Sequence, residues 1–362
     1  MIISWNTTKA CNLKCEHCYR DAGGKDPNEL NTTEGKELLS EIAKAGFKIA
    51  ILSGGEPLLR KDIFKLISYA ASVGLRPVLG TNGILFTPEI VRKLKTAGAS
   101  RVGISLDSKD FRIHDDFRKQ KGAWQKTMQA MRFCKEEKLD FQVHTTVTRR
   151  NYKEIIEITD FVSALGAKAH HIFFLVPTGR GKEINDVFIK AKEIQEVLEK
   201  VLNKQKETTL ELKPVCAPQF IPLARNMGLD LRFQRGCLAG TDYCCILPNG
   251  DVHPCPYLPL KVANVREEKF SQIWKDSEIF KKLRSQAYSG SCGSCLNKTS
   301  CGGCRARAYY ESSDFMAEDK ECVFIPQQES PGFGSTGSPS IEPSRAKSRD
   351  KPGMNALSRE GT

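Results

Sequence analysis

Ile2-Ile3-Ser4-Trp5-Asn6 leads into a loop that carries Cys11-Asn12-Leu13-Lys14-Cys15-Glu16-His17-Cys18. The short apolar run reads as a strand covered on both faces, and the cysteines sit on the loop that leaves it. Spaced by three residues and then two, three thiolates can hold three irons of a cubane cluster, with no protein ligand near the fourth. Iron–sulfur clusters normally take four cysteines, so a triad on one short loop describes a site kept open for another ligand. The competing reading is a zinc knot, which closes with a fourth Cys or His. His17 is that ligand in principle, but it lies inside the triad, where ring closure is strained.

The chain has 362 residues, enough for a full-size core and two domains. No apolar run reaches membrane-spanning length, and the N-terminus has no charged leader ahead of an apolar stretch, so a cytoplasmic protein is expected. Fourteen cysteines in such a protein point to metal or redox chemistry rather than disulfides. They fall in two groups, Cys11 to Cys18 and Cys237 to Cys322. Between the groups lie only Cys134 and Cys216, which read as small buried hydrophobes. The formal charge of +12 is scattered over amphipathic segments such as 187–206, with no stripe interleaved with aromatics. Neither nucleic acid nor membrane is therefore an expected partner.

Strand and helix patterns alternate over residues 1–210. Strands are expected at Ile2–Asn6, Ile49–Ser53, Arg76–Gly80, Arg101–Ser105, Phe141–Val147 and His171–Leu175. Helices are expected at Glu34–Ala45, Lys61–Ser72, Pro88–Ala97, Ala123–Glu137, Tyr152–Leu165 and Val187–Lys206. Repeated βα units imply a parallel sheet with right-handed crossovers, and six of them suit an α/β fold, a partial (β/α)6 barrel. Residues 211–325 are rich in Cys, Gly and Pro and form a second domain, with a tight turn at Pro248-Asn249-Gly250-Asp251. Residues 326–362 are Ser, Pro, Gly and charge, a composition expected to stay disordered.

Chemistry-bearing residues gather at the strand ends, where barrels place their ligands. Ser53-Gly54-Gly55-Glu56-Pro57 follows the second strand, Thr81-Asn82-Gly83 the third, and Ser105-Leu106-Asp107 the fourth. His144 and Thr146 share one face of the fifth strand, where His144 is either a cavity residue or a satisfied core histidine. His170-His171 begins the sixth strand and Arg180 follows it, its guanidinium suited to a carboxylate. The second cysteine group runs Cys237, Cys244, Cys245, Gly250-x4-Cys255, Cys292-x2-Cys295-x5-Cys301-x2-Cys304 and Cys322.

The triad, with His17 before its last cysteine and Gly-Gly-Glu-Pro after the second strand, resembles the radical S-adenosylmethionine (radical SAM) superfamily. The resemblance implies a reducing [4Fe–4S] cluster on Cys11, Cys15 and Cys18 that binds SAM at its open iron and cleaves it to a deoxyadenosyl radical. It also implies that Gly54, Gly55, Glu56 and Pro57 contact SAM, with Asn82, Ser105 and Asp107 as further polar contacts. The C-terminal cysteines are similar to the SPASM extension of that superfamily, though Gly302-Gly303 stands where three residues are usual. By that likeness Cys292, Cys295, Cys301 and Cys322 hold one auxiliary cluster. Cys237, Cys255, Cys304 and one of Cys244 or Cys245 hold another. A single auxiliary cluster, or two zinc sites, is compatible with the same spacing.

Met1-Ile-Ile-Ser-Trp-Asn-Thr-Thr, Cys18-Tyr-Arg-Asp-Ala-Gly and Cys301-Gly-Gly-Cys-Arg-Ala-Arg-Ala narrow the resemblance to the haem and haem d1 biosynthesis enzymes that act on siroheme-derived tetrapyrroles. The likeness covers residues 1–325 and is nearest to the deacetylases of 12,18-didecarboxysiroheme. It implies radical removal of carboxylate side chains, acetate in the first instance, and an external one-electron reductant of flavodoxin or ferredoxin type. Arg180, Arg305, Arg307 and His144 are the residues expected to meet the substrate, with Arg149 and Arg150 equally placed on paper. SPASM domains also occur in peptide and protein maturases. A barrel that starts at Met1 counts against those with an added peptide-recognition domain and leaves the sulfatase type open. A non-catalytic iron–sulfur carrier would leave the open triad and the Gly-Gly-Glu-Pro loop unexplained.

Overall fold

The computed structural model describes residues 1–184 and 187–324; the tail expected over 326–362 lies outside them. The chain opens with β1 (Ile2–Asn6), α1 (Thr32–Lys44), β2 (Ile49–Ser53), α2 (Ile63–Ser72), β3 (Arg76–Thr81) and α3 (Pro88–Thr96). It continues through β4 (Arg101–Ser105), α4 (Phe111–Arg118), α5 (Ala123–Glu136), β5 (Phe141–Val147), α6 (Ile155–Ala164), β6 (Ala169–Phe174) and α7 (Ala191–Gln205). Then come β7 (Glu211–Val215), α8 (Phe220–Asn226), β8 (Tyr243–Ile246), β9 (Asp251–His253), β10 (Ala263–Asn264), α9 (Phe270–Asp276), α10 (Glu278–Ser285), α11 (Gly290–Ser294) and α12 (Arg305–Ser312). No helix among the described residues is long and apolar enough to cross a membrane.

The ten strands among the described residues join one sheet in the order β10-β9-β8-β1-β2-β3-β4-β5-β6-β7. From β1 to β7 every neighbouring pair is parallel. The sheet extends past the six expected strands on both sides. On one side it takes on β7, an edge strand, which explains how Pro214 is tolerated without a backbone N–H. On the other side β8 runs parallel to β1, and β9 and β10 follow antiparallel. The expected division at residue 210 falls just before β7.

Residues alternate along the strands. On β5, Phe141, Val143, Thr145 and Val147 are buried while His144 and Thr146 are half-buried. The buried set packs with the helices, whose apolar stripes (Leu38, Leu39 and Ile42 on α1; Leu66, Ile67 and Ala70 on α2) belong to the same core. The half-buried set lines the other face. Trp5 anchors the N-terminal strand in this core at 1% exposure, beneath the Arg60 guanidinium at 5.3 Å. Gly35 lets α1 approach it, since a Cβ there would lie 2.6 Å from the indole. Glycine inside a helix costs about 0.5–1 kcal/mol, which the roughly 1.5–3 kcal/mol from burying a large apolar side chain outweighs. A capping box of Asn31 and Glu34 starts α1, and Arg266 holds the same Glu34 carboxylate, fastening the segment after β10 to the first helix.

Candidate active site

The loop bearing Cys11, Cys15 and Cys18 is held by four strand ends. Cys11 N–H donates to Gly23 (2.9 Å) and Gly23 N–H to Lys9 (3.0 Å), which closes the loop at its base. Gly55 N–H and Glu56 N–H donate to Thr8 and Ala10, each at 2.8 Å. A Cβ on Gly54 or Gly55 would collide with those carbonyls. The glycines expected to admit a ligand thus admit the cysteine loop's own backbone. Glu56 is fully buried, and its carboxylate accepts from Thr81 Oγ1 (3.0 Å), Asn82 N (3.0 Å) and Leu58 N (3.2 Å). Burial raises its pKa to about 7 against those hydrogen bonds. Asn82 Nδ2 reaches Asn12 Oδ1 at 2.8 Å, tying β3 to the loop. After β6, Arg180 donates from Nε to Cys15 O (3.0 Å) and from a terminal nitrogen to Ala22 O (3.0 Å) and Asp21 (2.7 Å).

Helix α4, which sequence patterning missed, supplies the remaining support. Its Phe117 stacks on His17 with ring centroids 4.1 Å apart and an 11° interplanar angle. His17 is held neutral: burial, with Arg118 next, drops its pKa to about 3. The ring lies buried on Phe117, with Nδ1 unpartnered. Arg118 donates from Nε to Asp107 Oδ2 at 2.7 Å and lies 3.8 Å from Cys15 Sγ through NH1. The second Asp107 oxygen accepts Thr146 N–H at 3.0 Å. Burial pushes Asp107 upward, but Arg118 and the neighbouring histidines hold it at about 2. Asp107, expected beside a ligand, is thus committed to Arg118 and positions it.

The thiols suit a cluster. Cys11 Sγ accepts Leu13 N–H and Cys18 Sγ accepts Ala22 N–H, both at 3.4 Å, while Cys15 has Arg118. Donors of this kind stabilise sulfur carrying negative charge. Burial raises the Cys11 pKa to about 11 and lifts Cys15 as well. A metal that deprotonates these thiols therefore supplies the stabilisation that the protein withholds.

Above the loop, Ser105 is half-buried, 3.5 Å from Thr81 O. His144 lies beside it in register, on the inner face. Its ring occupies the space over Gly103, where a Cβ would lie 2.5 Å from Cε1. It stacks on His171 at 5.2 Å and contacts Gln142 Nε2 at 2.7 Å. His170 is a satisfied core histidine between Thr159 and Thr145. A cavity of about 220 Å³ opens at the ends of β1, β2 and β8, with Gly54, Gly55, Asn6, Lys9 and Arg20 among its lining residues. Arg20 was not singled out in the sequence; its adjacency to Cys18 and Tyr19 was the available signal.

Three arginines expected at a substrate have protein partners in the structure. Arg180 clamps the cysteine loop. Arg305, 1% exposed, stacks on Tyr288, donates to Phe315 O and Ala317 O and reaches Cys292 Sγ at 3.6 Å. Arg307 forms a bidentate pair with buried Asp319 (2.8 and 2.9 Å). Asp319 also accepts Cys304 N–H at 2.8 Å.

The C-terminal cysteines separate into two groups. Cys301 and Cys322 each feel the charge of Cys292, and Cys322 that of Cys295. Cys292 Sγ accepts Asp319 N–H (3.5 Å), and Cys295 Sγ accepts Asn297 N–H (3.3 Å). Gly302 and Gly303 adopt φ of +73° and +56°, so the shortened Cys301–Cys304 spacing is bridged by two left-handed residues. In the other group, Cys255 neighbours Cys237 and Cys304, and Cys245 also lies near it. Cys216 packs in one small cluster with Cys304 and Cys255. Cys216 is therefore no isolated small hydrophobe. Cys244 and Cys245 face opposite sides of β8: Cys244 lies in the main apolar core, and Cys245 Sγ meets Asn6 Nδ2 at 3.8 Å and Arg20 at 3.6 Å.

Residues 5–162 match the radical SAM superfamily, and residues 237–296 match the SPASM iron–sulfur cluster-binding domain. The chain is 40% identical to the AdoMet-dependent heme synthase of Methanosarcina barkeri, over 90% of this chain and 97% of the relative. It is 29% identical to the Fe-coproporphyrin III synthase of the same organism (90% and 88%) and 30% identical to the mycofactocin maturase MftC of Mycolicibacterium smegmatis (95% and 86%). Among solved structures, Streptococcus suis SuiB bound to its precursor peptide SuiA shares the fold, with TM-score 0.73 and 18% identity over 90% of this chain and 76% of that one. The cofactors are [4Fe–4S] clusters and S-adenosylmethionine. The chain belongs to the radical SAM superfamily, as a SPASM-containing enzyme of the haem-biosynthesis branch.

Proposed function

We propose that this enzyme removes carboxylate from side arms of an iron tetrapyrrole on the way to haem. The observation that carries the reading is 40% identity, over almost the full length of both chains, to a relative named for making haem. Identity to the relative named for Fe-coproporphyrin III is 29%, which favours the haem-forming step over the earlier removal of acetate arms. When bound, the cluster and S-adenosylmethionine supply one-electron chemistry able to take hydrogen from an unactivated carbon.

The chain's own residues bind, orient and shield. Cys11, Cys15 and Cys18 hold the cluster. Gly54, Gly55 and Glu56 fix the loop against β2, Pro57 starts the turn behind them, and Asn82 joins the loop to β3. Ser105, whose hydroxyl donates to Thr81 O, would lend a polar group to the cofactor. The 220 Å³ cavity beside Gly54 and Gly55 is smaller than the ~300–1,000 Å³ of sites that enclose drug-sized ligands, so it suits a methionyl group rather than a macrocycle. Lys9 and Arg20 bring cationic groups to it, and Arg20 Nε is buried without a partner. With Arg180, Arg305 and Arg307 engaged elsewhere, Arg20 and the inner-face His144 are the side chains best placed to meet carboxylates. An external one-electron reductant of flavodoxin or ferredoxin class supplies the electron. A cytoplasmic setting suits fourteen cysteines kept out of disulfides.

The test is anaerobic incubation with S-adenosylmethionine, a reductant and two macrocycles in parallel, Fe-coproporphyrin III and 12,18-didecarboxysiroheme, followed by mass spectrometry. Conversion of the first to haem supports the proposal. Loss of acetate from the second alone moves the enzyme to the earlier step. The 30% identity to a mycofactocin maturase supports peptide modification as a second reading. Two unchanged macrocycles alongside a modified precursor peptide would establish that reading instead.

A further inference from the structure

We propose that Cys216 supplies the fourth thiolate to the set formed by Cys237, Cys255 and Cys304, leaving Cys244 and Cys245 outside that cluster. The assignment rests on the iron–sulfur cofactor and not on the identity of the substrate.

Cys216 follows the last residue of β7 and lies outside the matched residues 237–296. Its backbone takes φ +63°, a left-handed conformation that residues other than Gly, Asn and Asp seldom adopt. From there its side chain packs beside Cys304. Both residues belong to one small cluster, in which Val176, Leu258, Cys304 and Ala306 are buried and Cys216 and Cys255 pack against them.

Cys237 is drawn to the same place from another direction. Gly236 N–H donates to Ser300 O at 2.7 Å and Cys237 N–H to Cys301 O at 3.1 Å, which lays this segment along the Cys301–Cys304 turn. Pro218 presses on Gly236 so closely that a Cβ there would lie 2.5 Å from the proline Cβ. The segments carrying Cys216 and Cys237 therefore share a contact as well as a target.

The two alternatives have other partners. Cys244 is fully buried in the main apolar core behind β8. Cys245 lies near Cys255, but its thiol faces the barrel and is bonded to Asn6 and Arg20, residues that line the cavity beside Gly54 and Gly55. Four thiolates complete an iron–sulfur site, so Cys216 makes this auxiliary cluster fully protein-ligated, unlike the N-terminal one.

The experiment uses the full chain, with Cys11, Cys15 and Cys18 replaced by Ala so that only auxiliary iron is read. In that background Cys216→Ala, Cys216→Ser and Cys245→Ala are reconstituted anaerobically. Iron and sulfide per chain, Mössbauer spectra and the EPR spectrum of the reduced protein are recorded. We expect Cys216→Ala to lose about four irons per chain or to show a three-iron signal, and Cys245→Ala to match its parent. Should Cys216→Ala not accumulate, Cys216→Ser decides. Altered EPR g-values, from oxygen in place of sulfur, support the assignment. A parental spectrum from either Cys216 variant, or loss of iron on replacing Cys245, overturns it. Failure to act on a tetrapyrrole would leave these readouts unmoved.

Discussion

Replacing Arg118 by alanine is expected to cost far more than a surface arginine would. Its Nε lies 2.7 Å from Asp107 Oδ2, and the two side chains are 9% and 1% exposed. Without Arg118, the Asp107 carboxylate stays buried with only Thr146 N–H as a direct charge-stabilising donor. Removing one partner from a buried pair typically costs about 3–5 kcal/mol. For a chain of this length each kcal/mol lowers the melting temperature by about 2 °C, so the apparent Tm should fall by about 6–10 °C. The assay is a pair of anaerobic thermal melts on the cluster-loaded proteins at one scan rate. Replacing both residues together, Asp107→Leu with Arg118→Met, should recover much of the loss, because no unpaired charge remains. A drop of less than about 2 °C in Arg118→Ala, or a double variant no better than the single, would refute the view that this pair pins α4 beneath the cysteine loop.

Arg180→Ala should speed iron loss from the N-terminal site and cost about 1–3 kcal/mol through its lost hydrogen bonds, while leaving the substrate KM unchanged; a raised KM with normal iron retention would return Arg180 to substrate binding. Gly103→Ala places a methyl 2.5 Å from the His144 ring, so a stability loss of about 1–3 kcal/mol is expected, with reduced turnover if His144 meets the substrate. Urea titration and turnover read these two effects separately. Gly303→Ala adds a left-handed alanine, costing about 1–2 kcal/mol, and a clash with Arg305, whose NH2 would lie 2.5 Å away; auxiliary iron content should fall, and wild-type iron would count against the turn's role.

Much of the barrel is legible in the chain. The expected and observed bounds of β1, β2, β4 and β5 coincide, because short apolar runs set off by Gly, Asn and Lys have few other ways to bury themselves. Helix α4 was missed because Phe-Arg-Ile-His-Asp-Asp-Phe-Arg carries too few apolar residues to show a stripe; it buries His114, Phe117 and Arg118, two of which are polar. The triad and the Gly-Gly-Glu-Pro loop are plain in the sequence, yet the glycines' role is not, since it depends on a carbonyl more than forty residues away. Arginines mislead for a related reason: Arg180, Arg305 and Arg307 look like ligand groups until their carbonyl and Asp partners are known. Cys216 looked inert because its neighbours, Cys255 and Cys304, become neighbours only on folding.

The parallel pairing of β8 with β1 has a consequence for how the protein is made. Asn6 and Cys245, which meet across that pairing, are 239 residues apart. At ribosomal rates of about 5–20 residues per second, one flank of the first strand stays bare for roughly 10–50 s after it emerges. An apolar strand with a free edge is an aggregation hazard over such an interval. A translation product truncated before β8 would carry the full triad yet leave that flank of β1 unpaired.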